Sequence, residues 1–345
     1  MKKEPIAIME FLLLIALLLC LIPTGCKKEA EHKSAHTAQS LENEQSGSYF
    51  TIRVSPKWHP QTQFAGMYMA IKKGYYADHK LKVEVLPYTP IEQQLESIRT
   101  GKSDVVSMDL LQAIKLYHDH KELVNIGQTA QRNSVFLVGR KSRGIRSLND
   151  FNGKRLGIWR SSSNLITKAY LQDYNIDVEL VPIEWSINLF TQNVVDIINV
   201  MSYNEYHQIL QAGIPEDDLF VISLDLPDYS IPDEGYYVKE DFYRQHPKEC
   251  RDFIKATMDG WTYAFTHPDE TLDEIISIMQ DAKIKVNRSH QIWMLKEMKK
   301  VVLANPALMG KLDVNDFDKA NHLLKRTKTI SQDVKYEEFY PSAHK

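Results

Sequence analysis

Short apolar runs alternate with segments of helical periodicity along most of the chain. Apolar residues in alternating or β-branched runs predict strands at Thr51–Ser55, Leu81–Leu86, Asp104–Asp109, Leu123–Gly127, Val135–Gly139, Lys154–Trp159, Val178–Pro182, Ile197–Met201 and Gly235–Val238. Apolar spacing of three and four predicts helices at Phe64–Lys72, Ile91–Thr100, Leu110–Tyr117, Leu165–Tyr174, Cys250–Thr266, Thr271–Asp281 and Ser289–Leu303. The alternation up to about Gln211 predicts an α/β fold with parallel sheets and helices on both faces.

Polar and aromatic residues follow several of these strands directly. Ser202 and Asn204 are residue types that cap the helix predicted after Ile197–Met201. Ligands of open α/β sheets bind beyond the carboxyl ends of strands, where free backbone N–H groups of helix starts are exposed. There, Tyr203 and Tyr206 can stack on a flat ring while Glu205 accepts its N–H groups. The alternative is that both tyrosines pack in the interior and Glu205 complements the helix dipole.

Three similar junctions occur elsewhere in the chain. Trp58 lies between the first strand and its helix, and Ser107-Met108-Asp109 ends another strand. At the third, Arg160-Ser161-Ser162-Ser163-Asn164 precedes a helix, a combination that can hold an anion. The plainer interpretation of that motif is a helix cap beside a surface arginine.

The N-terminus resembles a secretory signal. Lys2 and Lys3 precede the apolar run Phe11–Ile22, which is too short to span a membrane with its flanks. The following Gly25-Cys26 resembles the cleavage site of bacterial lipoproteins, so we expect Cys26 to be lipidated and residues 1–25 to be removed. An ordinary signal peptide with a chance cysteine is the alternative. Residues 26–49 are almost free of apolar side chains and predict a flexible tether.

Composition narrows the function classes further. The 345 residues suffice for about two domains, and a formal net charge of -3 gives no indication of nucleic-acid binding. Once the signal is removed and Cys26 lipidated, Cys250 is the remaining cysteine, which excludes an intramolecular disulfide. Phosphate-loop, Gly-x-Ser-x-Gly and His-Glu-x-x-His motifs are missing from the sequence. We therefore expect neither a cofactor nor a metal.

Several motifs resemble one protein family. The similar residues are Trp58, Phe64–Ala70, Lys73–Tyr76, Gly101–Asp104, Asp150–Gly157, Met201–Tyr206 and Gly260–Ala264. In these motifs the chain resembles the substrate-binding proteins of ABC importers related to thiamine-precursor (pyrimidine) binders. The resemblance covers about residues 50–300. Relatives of this kind bind a formylaminopyrimidine or riboflavin and, more distantly, alkylsulfonates or nitrate, so the resemblance is specific for the family and loose about the ligand.

The resemblance implies a type II periplasmic-binding-protein fold, in which two doubly wound α/β lobes enclose a central cleft. Lobe one would comprise residues 50–140 and 235–345, and lobe two residues 141–234, with crossings near Gly139–Gly144 and Tyr229–Gly235. Ligand binding would close the lobes by a hinge, and the closed form would be recognised by a membrane permease. We expect a lipid-anchored, extracytoplasmic monomer whose partners are a small planar molecule and the permease.

With this fold, the four junctions would line a single cleft. The candidate ligand-binding residues are then Trp58, Phe64, Ser107, Met108, Gln131, Trp159, Arg160, Ser161, Ser162, Tyr203, Asn204, Glu205 and Tyr206.

An enzymatic alternative exists in the same superfamily. The fungal pyrimidine-precursor synthase resembles these proteins but uses a pyridoxal-phosphate lysine, a histidine and a cysteine-rich motif. Aligning Gly101–Asp104 places Met108 at that lysine and Gln112 at that histidine, and the cysteine motif is missing. The sequence thus predicts a binding protein that is not an enzyme. A sensor lipoprotein with the same fold is a third interpretation.

Overall fold

Two mixed β-sheets and their flanking helices form the folded body of the protein. The structure is a computed structural model that describes residues 48–159, 163–184 and 186–341. Its strands are β1 (Phe50–Ser55), β2 (Leu81–Val85), β3 (Val105–Asp109), β4 (Leu123–Gln128), β5 (Val135–Arg140), β6 (Lys154–Trp159), β7 (Val178–Ile183), β8 (Ile197–Met201), β9 (Leu219–Ser223) and β10 (Glu234–Lys239). The first sheet has the order β2-β1-β3-β10-β4, and the second has the order β7-β6-β8-β5-β9.

Helices cover both sheets. They are α1 (Ala65–Lys72), α2 (Tyr75–Asp78), α3 (Ile91–Arg99), α4 (Leu110–His120), α5 (Ser163–Asp173), α6 (Asn188–Thr191), α7 (Glu205–Gln211), α8 (Glu240–Gln245), α9 (Pro247–Thr266), α10 (Pro268–Asp281), α11 (Arg288–Val302), α12 (Val314–Arg326) and α13 (Tyr336–Phe339). None of these helices is both long enough and apolar enough to cross a membrane.

The predicted elements are present with shifts of a few residues at their ends. Strand β9, helix α12 and the short helices α2, α6, α8 and α13 were not predicted. The alternation predicted parallel sheets, whereas both sheets are mixed and contain parallel and antiparallel pairs. β10 pairs antiparallel with β3 and β4, and β5 pairs antiparallel with β8. Both antiparallel strands directly follow the chain's passage from one sheet to the other, so each enters its new sheet from the opposite direction.

The first crossing lies earlier in the chain than predicted. β5 pairs with β8 and β9, so residues 135–140 belong to the second sheet, although we had expected them in lobe one. The chain therefore crosses at residues 129–134, not at Gly139–Gly144, and returns at residues 224–233. The lobe bounds implied by the family resemblance had placed β4 and β5 in the same lobe. Buried side chains instead tie the two crossings together, since Asn133 Nδ2 donates to the Tyr229 carbonyl at 2.9 Å.

Two glycines let helices α1 and α9 pack closely. A Cβ atom at Gly260 would lie 2.0 Å from the carbonyl oxygen of Gly66, and a Cβ atom at Gly66 would lie 2.2 Å from the Trp261 ring. Trp261 is 1% exposed and belongs to the core of the first sheet. The Gly260-Trp261 motif therefore acts through helix packing and not through ligand contact.

We expect Gly260→Ala to lower the free energy of unfolding by about 1–3 kcal/mol or more, because the added methyl group meets backbone atoms that no rotamer change can move. Urea denaturation measures the loss. Gly157→Ala is the matched control, since its Cβ would lie 3.2 Å from the Val195 side chain, which can adjust. Equal losses in the two variants would contradict this interpretation of the helix contact.

Candidate ligand-binding site

A cavity of about 470 Å³ lies between the two sheets, beyond the carboxyl ends of their parallel strands. Met108 and Asp109 reach it from the end of β3, Trp159 from the end of β6, and Met201 from the end of β8. The volume is typical of small-molecule sites. Residues from both sheets line the cavity. Its position beyond strand ends is where open α/β sheets bind ligands.

Six of the predicted site residues line this cavity. They are Trp58, Met108, Trp159, Tyr203, Asn204 and Glu205. Each stands within a few residues of a strand end, which is the signal that identified it in the sequence.

Four other candidates lie elsewhere. Phe64 is 1% exposed within the core of the first sheet. Ser107 Oγ accepts a hydrogen bond from the Lys57 backbone N–H at 2.9 Å and so supports the loop that carries Trp58. Gln131 donates through Nε2 to the carbonyls of Gln128 and Lys311 and stabilises the first crossing.

Tyr206 is the fourth of these candidates. Its hydroxyl donates to Glu216, and its ring packs in the core of the second sheet, edge-on to Phe136. One step along a helix rotates a side chain by about 100°, so Tyr206 and Glu205 face different directions. Of the two tyrosines predicted to stack on a ligand, Tyr203 lines the cavity and Tyr206 packs in the core of the second sheet.

The remaining sequence candidates, Arg160, Ser161 and Ser162, and the expected lipidation site Cys26 lie outside the residues that the structure describes.

A buried ion cluster forms part of the cavity wall. Lys57 Nζ donates to Asp109 Oδ1 at 2.5 Å and to Asp233 Oδ1 at 3.0 Å. Burial by itself lowers the pKa of Lys57, but the two carboxylates outweigh burial and raise this pKa well above its ordinary value. Burial, and then the proximity of Asp109, raise the pKa of Asp233 well above its ordinary value. Lys57 is therefore a protonated, paired ammonium group.

Sequence reasoning missed this cluster because its members are distant in the chain. Lys57 follows β1, Asp109 ends β3, and Asp233 precedes β10. A carboxylate at the end of a predicted strand was a usable signal for Asp109, since such positions face the crevice.

Glu205 presents a buried carboxyl group to the cavity at the start of α7. Its Oε2 accepts from the Met201 N–H at 2.9 Å, and its Oε1 accepts from Asn204 Nδ2 at 2.8 Å. Burial raises the pKa of Glu205, and these hydrogen bonds oppose part of that rise. The Glu205 backbone N–H also donates to this carboxyl group, and three hydrogen bonds leave acceptor capacity on a carboxylate, which has about four acceptor sites.

Aromatic side chains supply much of the remaining wall. The rings of Trp58 and Tyr88 contact each other at a centroid distance of 5.2 Å. Trp159 Nε1 is buried and has no hydrogen-bond partner among the described residues. Tyr203 is 5% exposed, and burial raises its pKa well above the ordinary value, so its hydroxyl stays protonated. The site thus combines flat apolar surfaces with carboxyl acceptors and hydroxyl or indole donors.

Comparison with known proteins defines the family. The family described as NMT1/THI5 like matches residues 61–271. The chain belongs to this family. The riboflavin-binding protein RibY of Chloroflexus aurantiacus is 21% identical over 294 residues, which are 82% of this chain and 81% of RibY. The 4-amino-5-hydroxymethyl-2-methylpyrimidine phosphate synthase of Aspergillus parasiticus is 21% identical over 258 residues, 69% of this chain and 73% of that protein.

Solved structures share the fold of this NMT1/THI5-like chain. The periplasmic aliphatic sulphonate binding protein SsuA from Escherichia coli aligns with a TM-score of 0.64 at 12% identity, over 84% of this chain and 97% of SsuA. The chain therefore has the periplasmic-binding-protein fold, with two α/β lobes, as the resemblance implied.

The family includes proteins named as binders and proteins named as enzymes, so the chemistry of the cavity matters. Its described lining residues contain no serine, threonine, cysteine or histidine. Met108 and Gln112 both line the cavity, and neither side chain can form a Schiff base or transfer a proton as a base. Lys57 is a poor nucleophile because it is held protonated. No group of three or more His, Cys, Asp or Glu within the described ranges is arranged to bind a metal.

Glu234, which follows Asp233 of the ion cluster in the chain, makes the stability of the protein depend on pH. Burial raises the pKa of Glu234 to about 7 from a usual 4.5, with Lys57 and a hydrogen bond from Gln63 opposing the rise. A carboxyl group whose pKa is higher in the folded than in the unfolded state stabilises the fold at pH values below its unfolded-state pKa. That contribution is lost as the pH rises through the folded-state pKa. We expect the stability of Glu234→Gln relative to the original protein to increase by about 3 kcal/mol between pH 4.5 and 8.

Urea denaturation at several pH values in that range measures the difference. Glu337→Gln, at an exposed position, is the matched control for the loss of a carboxyl group. A constant difference between Glu234→Gln and the original protein would contradict the account of the buried carboxyl group.

Proposed function

We propose that this protein is an extracytoplasmic solute-binding protein of an ABC importer and that it captures a planar heterocycle, a pyrimidine thiamine precursor or a flavin. The observation that carries the proposal is one cavity lined from both sheets, in which Trp58 and Tyr203 offer ring faces and Glu205 offers acceptors. The fold shared with binding proteins and the printed name of the riboflavin-binding relative support it.

The charge of the cavity favours N–H donors over a sulfonate. Asp109 and Asp233 already share the ammonium group of Lys57, which leaves the described lining without an uncompensated cation. A sulfonate bound there would face carboxyl groups, whereas a heterocyclic amine or lactam would donate to them. Arg160, Ser161 and Ser162 remain candidates for an anionic substituent of the ligand, such as a phosphate.

We propose that the protein is not an enzyme. The alternative of an enzymatic function comes from the relatives named as pyrimidine phosphate synthases. The cavity composition supports binding instead, because Met108 and Gln112 stand where the synthase resemblance places its lysine and histidine. A sensor function would use the same cavity, and a kinase gene beside this one, in place of permease and ATPase genes, would indicate it.

Calorimetry on the full-length protein in detergent tests the proposal with three ligands. These are riboflavin, 4-amino-5-hydroxymethyl-2-methylpyrimidine and octanesulfonate. We expect one of the two heterocycles to bind with a dissociation constant in the range of about 1 μM or tighter and to be recovered chemically unchanged. Binding of the sulfonate alone, or recovery of an altered heterocycle, would overturn the proposal.

Trp58→Ala and Glu205→Gln are expected to weaken that binding. Loss of ring stacking should reduce the binding free energy by about 1 kcal/mol or more, and loss of the carboxylate by about 1–3 kcal/mol because a buried donor is left unpaired. Tyr206→Phe is the matched control, since Tyr206 is adjacent to Glu205 but does not line the cavity. If all three variants bind like the original protein, Trp58 and Glu205 have only packing roles.

Ligand binding is proposed to bring the two lobes together. The hinge would comprise residues 129–134 and 224–233, because the chain passes between the sheets there. A ligand that contacts both lobes binds the closed form more tightly, and this difference shifts the population toward closure. We expect small-angle scattering to show a smaller radius of gyration with saturating ligand. An unchanged radius would argue against closure.

We also propose that Cys26 carries the lipid that anchors the protein to the bacterial membrane, facing away from the cytoplasm. Cys26→Ser should abolish labelling by radioactive palmitate, because a serine hydroxyl cannot form the thioether of the lipid modification. Immunoprecipitation after labelling is the measurement, with Cys250→Ser as the control because Cys250 is buried. Label retained in Cys26→Ser would contradict the assignment.

A further inference from the structure

Helix α11 connects the two sides of the cleft. On the side of the first sheet, Gln291 Oε1 accepts from the Thr62 N–H at 2.9 Å and from the Thr62 hydroxyl at 2.7 Å. On the side of the second sheet, Trp293 Nε1 donates to the Ser202 carbonyl at 2.9 Å, and the Trp293 ring stacks on His207 at 4.7 Å. α11 therefore contacts the segment from which the cavity residues Tyr203, Asn204 and Glu205 project.

His290 on the same helix hydrogen-bonds directly to a cavity residue. His290 Nε2 lies 3.0 Å from Asn204 Oδ1, and Gln208 Nε2 donates to the same oxygen at 3.0 Å. Asn204 Nδ2 donates to Glu205 Oε1, which fixes Oδ1 as the atom facing His290. An amide oxygen only accepts, so His290 must carry its proton on Nε2.

His207 completes this arrangement. His290 Nδ1 and His207 Nδ1 are 2.9 Å apart, and the planes of the two rings are nearly parallel, with an interplanar angle of 2°. With its proton on Nε2, neutral His290 accepts at Nδ1, so His207 donates from its own Nδ1. Burial, and then the proximity of His207, lower the pKa of His290 to about 4, which agrees with a neutral ring.

The fixed amide gives the cavity a defined pair of hydrogen-bonding groups. Both lone pairs of Asn204 Oδ1 are used by His290 and Gln208, and one N–H of Asn204 Nδ2 is used by Glu205. The second N–H of Asn204 and the remaining acceptor sites of Glu205 belong to two residues that line the cavity side by side. A donor next to an acceptor complements a ligand edge that offers an acceptor next to a donor.

We propose that Asn204 and Glu205 recognise an acceptor–donor edge of a planar ring, and that His290 is the positioning residue that holds the Asn204 amide in the orientation this recognition needs. The inference rests on the proposed function. Two ligand classes have such an edge: an aminopyrimidine, through a ring nitrogen and its exocyclic amine, and a lactam-containing ring such as a flavin, through a carbonyl and its N–H. A sulfonate has no donor to pair with Glu205.

Two substitutions of His290 separate positioning from packing. His290→Gln places an amide N–H near the position of Nε2 and can donate to Asn204, whereas His290→Asn places its amide near Nδ1, too short to reach Asn204. Calorimetry on the full-length protein uses riboflavin and 4-amino-5-hydroxymethyl-2-methylpyrimidine, the two heterocycles that test the proposed function, as probes. For the probe that binds, we expect His290→Gln to retain affinity within about threefold and His290→Asn to lose about tenfold or more.

A second experiment uses the unmodified protein and changes the ligand instead. It therefore tests the inference even if a His290 variant fails to fold. N3-methylriboflavin lacks the N–H of the lactam edge, and 5-hydroxymethyl-2,4-dimethylpyrimidine lacks the exocyclic amine. We expect the matching analogue to bind about tenfold more weakly than its parent probe. Equal affinities of His290→Gln and His290→Asn, or of parent and analogue, would overturn the inference while leaving the proposed function intact. A protein that binds neither parent probe overturns the proposed function, and the inference with it.

Discussion

The buried ammonium group of Lys57 is the interaction on which the geometry of the cleft depends. It joins the loop after β1, the end of β3 and the end of the second crossing through Asp109 and Asp233. Removing a charge from water is unfavourable, and a buried ion pair offsets this only if its geometry is good and its hydrogen bonds are satisfied. Loss of the lysine would leave two carboxyl groups buried together. Trp58, the next residue in the chain, is therefore held in the cavity wall by electrostatics as well as by packing.

The same cluster connects the cavity wall to the passage of the chain between the lobes. Asp233 is the last residue before β10, and its carbonyl accepts hydrogen bonds from the Leu110 N–H and from Gln128 Nε2. Asp233 thus belongs both to the ion cluster in the cavity wall and to the return crossing. Earlier in that crossing, the Tyr229 hydroxyl donates to Asp173 on α5, which also pairs with Arg326 on α12. If one lobe moves against the other, these hydrogen bonds and ion pairs of the return crossing must either rearrange or serve as the pivot of the rotation.

Most of the architecture could be predicted from the sequence because each element has its own local signal. Alternation of apolar residues located the strands, and strand ends located Trp58, Met108, Trp159 and Tyr203 in the cavity. Pairing between strands has no such local signal. The bounds implied by the resemblance put β5 in the wrong lobe. No local signal corrected them, because the polar side chains of the loop before β5, such as Asn133, are buried by contacts with a segment almost 100 residues away.

The site was predictable to a similar degree and for the same reason. Aromatic and carboxyl residues after strands were found, whereas the partners that fix them were not. Lys57, Asp233 and His290 act through residues 52, 176 and 86 positions away in the chain. Tyr206 was misplaced because adjacent helical residues face different sides, and the exact start of α7 decides which residue faces the cavity.

The ligand that copurifies with the protein tests the central claim most directly. The full-length protein would be isolated under mild conditions and denatured, and the released small molecule would be characterised by mass and absorption spectrum. The account predicts a planar heterocycle, with the visible absorption of a flavin or the ultraviolet absorption of a pyrimidine. A released sulfonate with no ring, or any other molecule without an N–H-bearing heterocycle, would contradict it.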